Sequence, residues 1–212
     1  MKAVILALML AAGPAAAGPF SDLVMAPGVL ADVPAGPVFR YAHMRHMPPR
    51  EQGQELPGAE RGQPMPESVT DGLLTVTAEP GDGGMQLVLT RGEGGETRPV
   101  AAFPARGPNP VLLFFLENTM RVLAAETGGS PFYFRSRIRE ALGTAQLPDA
   151  GVPMVLRPFA EDKNRDRMGD LGTLTLTLTF DPAQPGRLIE LKADTAAGAQ
   201  GYTETLTLIA ED

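Results

Sequence analysis

Residues 173–180 read Thr-Leu-Thr-Leu-Thr-Leu-Thr-Phe. Strict alternation over this length fits a strand, with Leu174, Leu176, Leu178 and Phe180 on a buried face and the threonines on a wetted one. A helix would scatter the same apolar side chains around its circumference. A half-buried strand needs partners of its own kind, and the chain supplies them. Leu74, Val76 and Ala78 alternate with Thr75 and Thr77, and Met85, Leu87 and Leu89 repeat the pattern. Residues 96–103 form a weaker strand, which Pro99 confines to an edge or a bulge. The turn sequences Pro80-Gly81-Asp82-Gly83-Gly84 and Gly92-Glu93-Gly94-Gly95 join these three into a β-meander. A second set follows later. It comprises 154–160, broken by Pro158; 173–180; 187–194 with Ile189, Leu191 and Ala193 inward; and 202–210 with Leu206 and Leu208 inward.

Between the two sets lie two helices with marked ends. Asn109 caps the first, Pro110 opens it and Gly128 stops it. Leu112, Phe115, Leu116, Thr119 and Leu123 share one face, while Glu117 and Arg121 have the i,i+4 spacing of an ion pair. Ser130 and Pro131 begin the second helix and Gly143 is its expected stop, with Phe134, Ile138, Ala141 and Leu142 as its apolar stripe. The corner Gly128-Gly129 makes the two a helix hairpin. The expected fold is therefore α+β: a curved antiparallel sheet of about seven strands, in the order β-meander, helix hairpin, β-meander, with two helices packed on one face.

That single domain is expected to span 72–212. Residues 18–71 read as an extended Pro/Gly-rich arm and linker containing one candidate strand, 38–47. In that strand Phe39, Tyr41 and His43 fall on one face and Val38, Ala42 and Met44 on the other. Residues 48–71 hold Pro48, Pro49, Pro57, Pro64 and Pro66 and almost nothing apolar, a composition that does not repay the entropy of ordering.

Residues 1–17 have the form of a secretory signal peptide. Met1-Lys2 is followed by the apolar run 3–12 and by Gly13-Pro14-Ala15-Ala16-Ala17, an Ala-x-Ala cleavage site. The run is too short to span a bilayer, which takes about 20 residues, and the later run 111–116 is interrupted by Glu117. The mature chain is expected to carry no transmembrane segment. It contains no cysteine, so an exported domain of this kind relies on burial rather than disulfides, and the expected location is the bacterial periplasm. A formal charge of −7, one unit more negative without Lys2, makes nucleic acid and anionic membrane surfaces poor partners.

The candidate sites are few. His43, Met44, His46 and Met47 could offer soft ligands to copper, although positions three apart on a strand point to opposite faces. Asp162, Asn164 and Asp166 begin like a calcium loop, but the sixth position is Arg167 and the twelfth is Thr173. Arg135 and Arg139 share a face of the second helix and call for an acidic partner, either a protein carboxylate or an anionic ligand. Phe115 and Phe134 belong to an aromatic cluster at the helix corner that could line a cleft between helices and sheet. Nothing resembles a nucleophile elbow, the chain has four serines, and no phosphate-binding loop opens a helix.

The leading expectation is a non-enzymatic exported accessory or binding domain that uses no cofactor. Its partner is an unknown protein or a small apolar or anionic ligand, met by Phe115, Phe134, Arg135 and Arg139. The alternatives are copper handling through residues 43–47 and a carboxylate-dependent hydrolase.

Overall fold

The computed structural model describes residues 30–50, 57–58, 66–149, 151–184 and 187–209. The expected signal peptide, 1–17, and the start of the arm lie outside the described residues. Strands β1 (Gly36–His46), β2 (Val69–Gly81), β3 (Gly84–Glu93) and β4 (Glu96–Pro104) precede helices α1 (Pro110–Thr127) and α2 (Pro131–Thr144). Strands β5 (Met154–Leu156), β6 (Thr175–Phe180), β7 (Leu188–Asp194) and β8 (Thr203–Leu208) complete one antiparallel sheet. Its spatial order is β4-β3-β2-β1-β8-β7-β6-β5. The first meander steps outward from β1, and the second starts at the opposite edge and steps inward to β8. The two meet where β1 pairs with β8, with Tyr41 opposite Leu208, His43 opposite Leu206 and Arg45 opposite Glu204.

The sheet has eight strands rather than about seven. The extra one is the candidate strand 38–47, which sequence allows as an eighth but places in an arm ahead of the domain, and which in fact lies at the middle of the sheet. Its pairing with β8 joins residues far apart along the chain, so no local pattern announces it. Both proline-bearing segments sit at edges as expected. β4 carries Pro99 beside a register shift opposite Leu89 and Thr90, and β5 stops before Pro158.

The alternating residues of the strands are buried together with the apolar sides of the helices. Leu74, Val76, Leu89, Leu176, Leu178, Leu191 and Leu206 share one core with Val111, Leu112, Phe115 and Leu123 of α1 and with Phe134, Ile138 and Leu142 of α2. Among the described residues, no helix is long and apolar enough to cross a membrane.

The helix ends show which local signals act. Asn109 Oδ1 accepts hydrogen bonds from the Val111 and Leu112 N–H groups at 3.0 and 3.3 Å, a cap worth about 1 kcal/mol. Gly128 ends α1 at φ 69°, where its N–H reaches the Ala124 carbonyl and where a side chain would be strained. Ser130 occupies the cap position of α2 but makes no side-chain capping bond. Gly143 does not stop that helix, which continues to Thr144; an exposed glycine in a last turn costs at most about 1 kcal/mol.

Candidate functional site

β1 sends Phe39, Tyr41, His43 and Arg45 to the buried side and Arg40, Ala42, Met44 and His46 to solvent. Three inward polar groups meet where β1, β8 and α1 come together. Glu204, fully buried on β8, receives four hydrogen bonds. Its Oε1 accepts from His43 Nε2 at 2.8 Å, Arg45 Nη2 at 3.0 Å and Asn118 Nδ2 at 3.1 Å. Its Oε2 accepts from the Tyr202 hydroxyl at 2.7 Å. Thr119 Oγ1 lies 3.4 Å from that hydroxyl and donates to the Phe115 carbonyl at 3.0 Å. The network ties α1 to the central strand pair.

Burial on its own would raise the Glu204 carboxyl. The hydrogen bond from His43 and the charge and hydrogen bond of Arg45 outweigh it, and the carboxyl is held below the ordinary glutamate range. The Tyr202 hydroxyl is pushed well up, first by burial and then by the negative charge of Glu204, and stays protonated. His43 Nδ1 is buried with no hydrogen-bond partner among the described residues. The ring meets Phe114 edge-on at 5.7 Å between centroids.

Two members of this network, Arg45 and Asn118, also line a cleft of about 830 Å³. α1 contributes Glu117, Asn118, Met120, Arg121, Ala124 and Ala125, and the helix corner adds Gly128 to Pro131. Arg135 comes from α2, Arg91 from β3, Arg98 from β4 and Arg45 from β1, with Pro57, Gly58 and Pro66 beside them. The Gly58 N–H donates to the Ala125 carbonyl at 3.0 Å. A Cβ at Gly58 would stand 1.8 Å from the Ala124 oxygen, so only glycine allows this close approach to α1.

Charge in the cleft is one-sided. Among the described lining residues are five guanidinium groups and one carboxylate, Glu117. Glu117 is shared, with Oε1 3.2 Å from Arg121 Nε and Oε2 3.5 Å from Arg135 Nη2. On the strand side Arg91 and Arg98 stand directly opposite each other. They pair along their own strands with Glu93 at 3.3 Å and Glu96 at 2.7 Å. Such partly exposed pairs are worth about 0–1 kcal/mol each, and each guanidinium carries five N–H donors. The exposed guanidiniums of Arg91, Arg98, Arg121 and Arg135 therefore keep donors beyond those used in these pairs.

The residues singled out from sequence are dispersed. Arg135 lines the cleft; Arg139 is exposed on α2 and is not among the lining residues. Phe115 and Phe134 are 0% and 1% exposed, and both pack in the core. Of the soft-ligand set, His43 and Met47 are buried, while Met44 and His46 are exposed on the other face of β1. Among the described residues no group of three His, Cys, Asp or Glu side chains could hold a metal ion. The start of the calcium-like loop is used internally: Asp162 accepts from the Tyr133 hydroxyl and, at 2.7 Å, from the Asn164 N–H.

Sequence reasoning missed Glu204, Tyr202 and Asn118, and it passed over Arg45, Arg91, Arg98 and Arg121 as ligand contacts. One signal was present. In β8 the inward register runs Tyr202, Glu204, Leu206, and a glutamate at a core-facing position implies a buried partner. The gathering of arginines had no such signal, because it joins five elements spread over residues 45–135. No protein-family model matches the chain, and a search of curated proteins finds no match.

Proposed function

We propose that the protein is an exported, non-enzymatic binding domain whose ligand is an anion seated in the arginine-lined cleft. The observation that carries this reading is the convergence of five arginines from β1, β3, β4, α1 and α2 on one cleft, against one carboxylate among the described lining residues, in a chain of net charge −7. A protein this acidic gains nothing in solubility from such a cluster. The cluster does supply guanidinium forks suited to carboxylate and phosphate oxygens, and an 830 Å³ volume lies in the range of small-molecule sites. In this reading the sheet curls around α1, both helices lie on its inner side, and the β3–β4 hairpin faces the helix pair across the cleft. The Glu204 network holds Arg45 and Asn118 at the base, so these donors are in place before the ligand arrives. Export to the periplasm makes the ligand one met outside the cytoplasm.

Thermal unfolding of the purified chain tests the reading, with sodium phosphate compared against sodium chloride at equal ionic strength. Phosphate is expected to raise the midpoint progressively with concentration, by linkage to the folded state. The double variant Arg121→Gln, Arg135→Gln, which alters only exposed side chains, is expected to show a smaller rise. Identical midpoints in the two salts would remove the proposal.

A further inference from the structure

Resting on that reading, we infer that the cleft takes a compact polyanion, a molecule with two or more phosphate or carboxylate groups, bound by separate arginine pairs on its two walls. The pairs come from different elements. One is Arg91 and Arg98, set opposite each other across β3 and β4. The other is Arg121 of α1 and Arg135 of α2, joined at Glu117. Arg45, a further lining residue, is held by Glu204.

Each pair keeps guanidinium donors that its carboxylate partners do not use. Like charges directly opposite on neighbouring strands repel, and Glu93 and Glu96 offset this for Arg91 and Arg98 only from beyond the lining of the cleft. On the helical wall one carboxylate serves two guanidiniums, each through a single oxygen. All four side chains are accessible, from 38% exposed at Arg91 to 75% at Arg98. The remainder of the lining argues against a mainly apolar ligand. Its apolar members are Pro57, Pro66, Pro131, Ala124, Ala125 and Met120, and no aromatic ring is among the described lining residues. A ligand with one acidic group would occupy one wall and leave the other pair unmatched. A ligand with two or more engages both, and the second contact is intramolecular.

The test is calorimetric titration of the full chain at fixed ionic strength with four probes: orthophosphate, tripolyphosphate, acetate and citrate. Tripolyphosphate and citrate are expected to bind at least tenfold more tightly than their single-group counterparts. The wall variants Arg91→Gln, Arg98→Gln and Arg121→Gln, Arg135→Gln are each expected to abolish that gain while retaining weak orthophosphate binding at the intact wall. The control Arg106→Gln, Arg139→Gln removes the same charge away from the cleft and is expected to leave the gain unchanged. Equal affinity for single-group and multiple-group probes, or a gain that survives loss of either wall, would overturn the polyanion inference and leave the anion-binding reading standing. A gain lost equally in the control would also overturn it, because simple attraction to net charge would then account for it. Absence of binding by every probe would overturn both.

Discussion

Replacing Glu204 with alanine is expected to destabilise the protein by about 3–5 kcal/mol at pH 7, the usual result of removing one partner from a buried ion pair. The change strands Arg45, which is only 8% exposed, and deprives His43, Asn118 and Tyr202 of their common acceptor. The effect depends on pH with a definite sign. The folded carboxyl is held below its ordinary range, so Glu204 ionisation favours the folded state. That contribution is complete above the unfolded value of about 4.3 and is lost as pH falls through the lower folded value. Glu204→Gln keeps the shape and removes the titration. Its deficit relative to the parent is expected to be largest near neutrality and to narrow as the pH drops below about 4. Urea unfolding of both proteins across this range checks the prediction. A Glu204→Ala protein as stable as the parent at pH 7 would show that the network contributes nothing to the fold.

Phe115→Ala is expected to cost about 3–5 kcal/mol, as large-to-small changes in a packed core do. Its ring is fully buried, on the same helix turn as the Thr119 side chain that hydrogen-bonds to its carbonyl. Phe134 should behave similarly, since it packs edge-on against Phe159 and Tyr133 with centroids 6.0 and 5.5 Å away. The expected loss appears in denaturant midpoints, while anion affinity of the remaining folded protein is unchanged. A small stability effect combined with weakened ligand binding would instead place Phe115 in the binding site.

These residues also show how far sequence pattern reaches. Alternation in residues 173–180 and 73–79 marks strands because the period of two is local and the buried face is continuous. Asn109, Pro110 and Gly128 mark α1 because each acts on its own backbone. Ser130 and Pro131 mark the start of α2 although the serine side chain makes no capping bond, whereas Gly143 misled because the helix continues to Thr144. The central place of β1 was hidden because its neighbour β8 comes from the other end of the chain. Phe115 was drawn into a candidate site by its place in an aromatic cluster, and Arg139 by its i,i+4 spacing from Arg135. Helical periodicity already put Phe115 on the buried face of α1, whereas only the packing of α1 on the sheet selects Arg121 and Arg135 and excludes Arg139 from the cleft. A binding site made from the sides of five elements leaves no motif, since its spacing exists only after folding.

The most direct measurement is an NMR titration of the arginine Nε–Hε resonances with tripolyphosphate at constant ionic strength. The resonances of Arg45, Arg91, Arg98, Arg121 and Arg135 are predicted to shift together along one saturable curve, while those of Arg139, Arg157 and Arg167 stay in place. Shifts of equal size at all arginines, or saturation confined to residues outside the cleft, would contradict an anion site built between the helices and the sheet.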